Sequence, residues 1–202
     1  MNLVAVQLDA LTELFKIGLH RAAASLSELT QQRIVVELPR LWICSIDQVR
    51  PRLMELLDGE LASVHQIFSG AVAGDAVLLL EYDKAALLAR LMTHDEVAIA
   101  GRRDQSAREV LAEVGNIVLS ACLSAFGDML KFSVLFSVPR MHIESLDGLL
   151  RTMTVDAAEL QVAVIAATRF RLSELEVEGF LIVALGVTSL ALIARALEER
   201  VS

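Results

Sequence analysis

The chain has 202 residues, of which 55% are hydrophobic, and its formal net charge is -8. This length allows one large domain or two small ones, and the apolar share predicts a large core. An acidic chain without a basic stripe argues against nucleic acid and anionic membrane surfaces as partners, and residues 1–4 lack the pattern of a signal peptide. Cys44 and Cys122 lie in apolar contexts, which predicts buried free thiols in a cytoplasmic protein.

The apolar pattern predicts the same order of elements twice. In the first half the elements are a helix at 3–29, extended segments at 34–38 and 41–46, a turn at 46–51, strands at 61–73 and 76–81, and a helix at 82–92. In the second half they are a helix opening at Ser106, a strand at 132–138, paired strands at 160–170 and 177–185, and a helix at 188–199. The longest apolar run, 180–194, is too short to span a bilayer comfortably and is interpreted as a buried strand running into a buried helix. The predicted fold is α+β, with a mainly antiparallel sheet and helices packed on its faces.

A fixed offset relates the two halves. Positions 9, 13, 16 and 39 are matched at 109, 113, 116 and 139, an offset of 100. Gly74 and Gly179 differ by 105, so we predict a five-residue insertion near 171–175. These matches predict a single domain over 1–202, made of two repeats at about 1–100 and 101–202 and related by a pseudo-two-fold axis.

Polar residues in the first helix of the second half share one face. Glu109, Glu113 and Asn116 are spaced by four and then three residues, which stacks them one turn apart on a helix. Such a pattern alone is typical of solvated surface. Its counterpart in the first half, Asp9 with Glu13 and Lys16, favours a functional interpretation.

Other chemistry has little support in the sequence. The four histidines lack metal-ligand spacing and nearby cysteines, so no metal site is predicted: His20, His65, His94 and His142. A phosphate-binding glycine loop and a dinucleotide fingerprint are both missing. A Ser/His/Asp triad stays open because distant residues can assemble one, although no Gly-x-Ser-x-Gly elbow occurs.

The motif itself resembles a known signature. Glu113-x-x-Asn116, followed by 22 residues and then Pro139, is similar to the signature of the CheC family of chemotaxis phosphatases, which includes CheX and part of the flagellar-switch protein FliY. Segments 8–13, 68–74 and 178–181 also resemble CheC. The resemblance covers nearly the whole chain, and its two-unit length is closer to CheC than to CheX.

The resemblance implies a protein aspartyl-phosphate phosphatase, a hydrolase acting on CheY-like response regulators in chemotaxis or two-component signalling. Asn116 would orient the attacking water and Glu113 would pair with the receiver's active-site lysine, while Pro39 and Pro139 would be structural. No cofactor of its own is expected, since the receiver supplies Mg²⁺ and the aspartyl phosphate is already activated. A CheD-type deamidase is a further expected partner.

Two positions depart from the family pattern, which has Asp or Ser four residues before the Glu. Glu109 occupies that position in the second half, and because it also completes a capping box with Ser106, its role is uncertain. In the first half Asp9 and Glu13 are kept, but Lys16 replaces the Asn and is predicted to pair with Glu13. The possible site in the first half is therefore degenerate. Lys16→Asn would restore its water-orienting amide if the surrounding surface still fits a receiver.

Two alternatives to the phosphatase stay open, and the first of them follows from these departures. One is a non-catalytic docking module that sequesters receivers or binds a CheD-type deamidase. The other is a scaffold part of a flagellar switch.

Overall fold

The computed structural model of the protein describes residues 5–93, 105–154, 160–172 and 175–201. The helices are α1 (Ala5–Thr30), α2 (Val49–Met54), α3 (Tyr82–Thr93), α4 (Gln105–Leu130), α5 (Leu146–Thr154) and α6 (Val187–Val201), and a short 3-10 helix spans Ile46–Gln48. The strands are β1 (Ile34–Ser45), β2 (Leu61–Gly70), β3 (Gly74–Glu81), β4 (Val134–Phe136), β5 (Arg140–Glu144), β6 (Leu160–Leu172) and β7 (Leu175–Gly186). His94 and the predicted boundary between the repeats lie outside the described residues, as do 1–4 and 173–174.

The strands form one antiparallel sheet, which confirms the predicted α+β class. Its order is β1-β6-β7-β3-β2-β4, and β5 also pairs with β2. Strand β1 of the first half therefore pairs with β6 of the second half, and β4 and β5 of the second half pair with β2 of the first. At the centre, Val77 of β3 lies opposite Ile182 of β7, and these residues differ by the offset of 105. A pseudo-two-fold axis through this pair would produce this register, and the division into two repeats remains a prediction.

Helices cover both faces of the sheet. Four helices, α1, α3, α4 and α6, bury their apolar sides with alternate strand residues such as Leu78 and Leu80. The intervening strand residues, such as Val77 and Leu79, form a smaller core with α2 and α5. The alternation follows from the two-residue period of a strand, which sends successive side chains to opposite faces.

The sequence analysis did not identify α2 or α5. The segment predicted as a turn at 46–51 is a 3-10 helix followed by the six-residue helix α2. Pro51 favoured the turn interpretation, but it lies in the first turn of α2, where a proline is tolerated. In α5 the spacing of Leu146, Leu149 and Leu150 was the available helical signal.

Pro39 and Pro139 lie where strand pairing is irregular. The sequence predicted that the first strand ends near Pro39. Instead, strand β1 continues to Ser45, with a shift in register between Glu37 and Arg40. Pro139 lies between β4 and β5, which both pair with β2. Proline has no N–H to donate to the ladder, so edge strands and irregularities are where it fits.

Helices α1 and α4 pack directly against each other on one face of the sheet. A methyl group at Gly18 of α1 would lie 2.6 Å from the Cα of Cys122 in α4, so only glycine permits this approach. Burial raises the pKa of the Cys122 thiol to about 12 and also raises the pKa of Cys44. Both cysteines are free and buried, as predicted.

Helix α4 is also the most apolar long helix in the described part of the chain. Its segment Ala107–Leu130 is long and apolar enough, by length and composition alone, to cross a membrane. Core helices of soluble proteins meet the same criterion, and here Val114, Val118 and Leu119 are buried in the core that α4 shares with α1 and the sheet.

A second glycine brings α4 onto the sheet. A methyl group at Gly115 would lie 2.5 Å from Cβ and Cγ1 of Val64 in β2. The equivalent position in α1 is Phe15, which is fully buried and packs edge-to-face on Phe126 with ring centroids 5.1 Å apart. The second half therefore has a closer helix–strand contact at this point than a bulky residue would allow.

We expect Gly115→Ala to destabilise the fold by about 1–3 kcal/mol, because the added methyl group meets Val64 in a packed core. The matched control is Gly148→Ala in α5, where the nearest atom is the end of the Glu144 side chain at 3.1 Å. That change should be neutral or stabilising by up to about 1 kcal/mol, as is usual for Gly to Ala within a helix. Denaturant unfolding measures both free energies. Equal stability of the two variants would contradict the close approach of α4 to β2.

Candidate functional site

Helix α4 presents the predicted polar face to solvent. The side chains of Glu109 and Glu113 are exposed, and Asn116 is half-buried at the boundary between the helix surface and the core. Among the described residues, the Glu113 carboxylate makes no hydrogen bond or ion pair. The site therefore combines an available carboxylate with an amide one turn further along the helix.

The Asn116 amide is held by two neighbours. Its Oδ1 accepts a hydrogen bond from Nε2 of Gln66 at 3.4 Å and from Oγ of Ser120, one turn later, at 3.3 Å. No partner of Asn116 Nδ2 lies among the described residues. In the free protein the oxygen end of the amide is thus occupied, and the nitrogen end is available as a donor.

Gln66 is itself fixed by the backbone of the edge segment. It lies on β2, is 2% exposed, and donates from Nε2 to the carbonyl oxygen of Ser137 at 3.1 Å. Ser137 is held in turn by two hydrogen bonds to Ile67. The Ser137 N–H donates to the Ile67 carbonyl oxygen at 2.9 Å, and the Ser137 Oγ accepts from the Ile67 N–H at 3.0 Å. One polar cluster therefore joins helix α4, strand β2 and the segment before Pro139. We call this cluster the amide site, and its residues are Gln66, Asn116, Ser120 and Ser137.

The capping-box prediction is wrong. Helix α4 already includes Gln105, so Ser106 lies within the helix instead of at its N-cap. The Glu109 carboxylate accepts a hydrogen bond from Nε2 of Gln105 at 2.9 Å. Glu109 therefore does not cap the start of the helix through Ser106, and its catalytic role stays a prediction.

The first half carries a different arrangement. Asp9 and Glu13 are exposed on α1, and the predicted ion pair of Lys16 with Glu13 is present at 2.6 Å. The Glu13 carboxylate is thus occupied by a cation, whereas Glu113 is not. An exposed pair of this kind adds little stability, on the order of half a kcal/mol.

The other residues of the amide site are also different in the first half. At the offset of 100, Gln66 corresponds to Ala166, Ser120 to His20 and Ser137 to Glu37. Ala166 is fully buried in the core, and Glu37 pairs with Arg171 at 2.9 Å. The difference between the halves therefore extends beyond Lys16.

An apolar rim adjoins the amide site. Leu135, Val138 and Ile67 are 67%, 82% and 55% exposed, and Phe136 is 37% exposed. These residues flank Ser137 in the segment after α4 and in its partner strand β2. By strand alternation Ile67 and Leu135 point to the face of the sheet opposite Gln66, whereas Phe136, which pairs with Phe68, points to the same face as Gln66. The rim offers exposed apolar surface at this edge of the sheet, next to Ser137 of the amide site.

A separate polar cluster lies on the opposite face of the sheet. His65 is mostly buried, with Nδ1 4.0 Å from Asp75 and Nε2 3.8 Å from Glu144. The Ser63 hydroxyl donates to Glu144 at 2.8 Å. Burial, together with the neighbouring His142, lowers the pKa of His65 to about 4, so this imidazole is neutral at pH 7. A Ser/His/Asp triad would need the Ser63 hydroxyl to face the imidazole, and it faces a carboxylate instead.

The chemistry available at the amide site is positioning, without an evident nucleophile. Among the described residues, no group of three His, Cys, Asp or Glu side chains is arranged to hold a metal ion. A carboxamide can donate to a water molecule or to a phosphoryl oxygen, and a free carboxylate can pair with a cation from a partner. Gln66 and Ser137 were missed in the sequence, where Gln66 appears as one polar residue in an apolar strand.

No family model matches the chain, but similar proteins are found by sequence and by structure. The chain is 26% identical over 143 residues to a protein of Bacillus subtilis described as "CheY-P phosphatase CheC". That match covers 68% of this chain and 66% of the relative, just under two thirds of the relative's length.

Two solved structures have the same fold. FliY of Thermotoga maritima superposes with a TM-score of 0.79 at 16% identity, covering 99% of this chain and 100% of that chain. The complex of CheX with CheY, BeF3 and Mg²⁺ from Borrelia burgdorferi contains a chain that matches with a TM-score of 0.53 at 15% identity, covering 85% of this chain and 97% of that one. Together with the Glu113-x-x-Asn116 motif on an exposed helix face, these findings support a relationship of the chain to the CheC, CheX and FliY family of chemotaxis proteins.

Proposed function

We propose that the protein is a phosphatase that hydrolyses the phospho-aspartate of a CheY-like response regulator, with α4 as its working helix. The observation that carries the proposal is the pairing of an available carboxylate, Glu113, with a held amide, Asn116, on one exposed helix face. The curated relative is described as a CheY-P phosphatase, and a structural neighbour was solved as a complex with CheY, which supports this class of substrate.

Positioning is sufficient chemistry for this substrate. An aspartyl phosphate is an activated acyl phosphate, and its phosphoryl transfer depends mostly on an in-line water and on charge stabilisation. Asn116 donates from Nδ2 to the water or to a phosphoryl oxygen, and Glu113 pairs with the receiver's active-site lysine. Such placement contributes on the order of 10²–10⁴ in rate.

The remaining parts of the reaction come from the partner. Mg²⁺ belongs to the receiver, and the protein needs no cofactor of its own. Since receivers act in the cytoplasm, we assign the protein to that compartment. Phe136 and Val138, the residues of the apolar rim on either side of Ser137, form the docking surface for the receiver, because Ser137 is bonded to Gln66 in the amide site.

A second candidate function is non-catalytic docking, and the first half favours it. On α1 the Lys16 ammonium occupies Glu13, and no amide faces solvent at position 16. If the exposed faces of α1 and α4 both bound a partner without catalysing a reaction, the protein would sequester receivers or bind a CheD-type deamidase. The discriminating experiment is phosphate release from receivers charged with acetyl phosphate, with and without this protein. Faster release supports the phosphatase, and binding without faster release supports docking.

Asn116→Ala should reduce the maximal rate of phosphate release by about 100-fold or more, because it removes the group that positions the water. Glu113→Ala should both weaken receiver binding and lower the rate, since it removes the partner of the receiver's lysine. Glu113 is exposed, so Glu113→Ala should change the free energy of unfolding by no more than about 0.5 kcal/mol. Steady-state phosphate release and receiver titration measure these effects.

The control for these variants is Glu28→Ala, which removes an exposed carboxylate from α1 outside either site. It should leave both rate and binding unchanged. Full activity in both the Asn116 and the Glu113 variants would show that the site is wrongly assigned.

Val138→Asp should raise the KM for the phosphorylated receiver by about tenfold while leaving kcat nearly unchanged. The side chain is 82% exposed, so a carboxylate there costs little stability but disrupts an apolar contact. Leu29→Asp is the control, since Leu29 is 59% exposed at the end of α1. An unchanged KM for the Val138 variant would exclude the apolar rim as the docking surface.

A further inference from the structure

Gln66 is an unusual residue for its position. It lies on β2 between Val64 and Phe68, whose side chains enter the large core, and only 2% of Gln66 is exposed. Burying a primary amide without partners is costly, so such a side chain is stable only where its donors and acceptor are used. Its neighbours satisfy it from one side, through Asn116, Ser120 and Ser137.

The direction of the hydrogen bonds is determined by the backbone. The carbonyl oxygen of Ser137 can only accept, so the group of Gln66 that faces it at 3.1 Å must be the Nε2 amine. The same Nε2 is 3.4 Å from Asn116, and it can pair only with an acceptor there, which is Oδ1. Oε1 of Gln66 then faces the Ser120 hydroxyl at 3.5 Å. One fixed carbonyl therefore specifies which end of the Asn116 amide is held and which end is available.

This anchor belongs to the second half alone. Its equivalent in the first half is Ala166, which has no polar side chain. The close approach of α4 to β2 at Gly115 brings Asn116 within reach of Gln66, while the first half has Phe15 at that position. An asparagine placed at position 16 would therefore have no anchor on the sheet.

We propose that Gln66 is a positioning residue that fixes the orientation of the Asn116 amide, and that this anchor, more than Asn116 alone, makes α4 and not α1 the working helix. The inference rests on the proposed phosphatase function. Gln66 does not touch the receiver, because it is buried beneath Asn116 and Ser137.

Two substitutions at Gln66 test the anchor while keeping side-chain length. Gln66→Met removes both donors and the acceptor, and Gln66→Glu replaces the donor by a carboxylate oxygen that cannot pair with the Ser137 carbonyl. In both, kcat for phosphate release should fall on the order of 10- to 100-fold, because the amide loses its fixed orientation. The KM for the phosphorylated receiver should stay within about twofold of that of the wild type, since the surface is unchanged.

The matched control is Gln7→Met. Gln7 is 6% exposed and donates to the Ala194 carbonyl and to Glu198 of α6, so the same substitution removes a buried amide elsewhere. It should lower the midpoint of denaturant unfolding about as much as Gln66→Met does, with kcat unchanged. If Gln66→Met also kept the wild-type kcat while Asn116→Ala lost it, Gln66 would be structural only and the inference would be overturned.

A second arm uses the first half. In an Asn116→Ala background, Lys16→Asn should not recover phosphate release, because the position equivalent to Gln66 holds Ala166, which has no polar side chain to orient the new amide. Recovery to near the wild-type rate would overturn the inference, since it would show that an unanchored amide suffices. If the wild-type protein released no phosphate from any receiver, the proposed function would fail and the inference with it, an outcome distinct from both of these.

Discussion

The close approach of α4 to β2 is the constraint on which the candidate site depends. At Gly115 the helix rests on Val64 without an intervening side chain, so the next residue, Asn116, lies over the strand and can reach Gln66. A side chain at position 115 would separate the two elements by the thickness of a methyl group or more. The hydrogen bonds to Asn116 Oδ1, at 3.4 Å from Gln66 and 3.3 Å from Ser120, leave little room for such a displacement.

A symmetric frame thus carries an asymmetric site. The central strands pair with a register that is symmetric about Val77 and Ile182, and both long helices pack on the same face. Within that frame a few substitutions separate the halves: Gly115 against Phe15, Asn116 against Lys16, Gln66 against Ala166 and Ser137 against Glu37. Each of the four concerns either the distance from helix to sheet or the polar groups between them, so they act together on one property.

The parts of this arrangement that could be predicted from sequence are the local ones. The helical spacing of Glu109, Glu113 and Asn116 predicted a shared face, and the short separation of Glu13 and Lys16 predicted their ion pair, which is present. Both depend on positions three or four apart, where helix geometry alone determines proximity.

The parts that escaped prediction depend on tertiary structure. Gln66 is 50 residues from Asn116 in the chain, and the strand order that brings them together exchanges the first strands of the two halves. The short helix α2 gave little periodic signal in six residues. For Ser106, the helix begins earlier than the capping motif indicated, because residues before a motif can continue a helix when packing favours it.

The same comparison explains why the first helix persists although its site is degenerate. Phe15 is fully buried and stacks edge-on against Phe126 of α4, and Leu11 and Leu19 are buried beside it. Loss of α1 or of its packing would expose this apolar surface and displace α4, and the position of α4 determines the geometry of the amide site. At position 15 the chain has a ring that fills the core, and at position 115 it has a glycine that opens a path from helix to strand. Packing in one half therefore holds the geometry that the other half uses, and the two halves cannot vary independently.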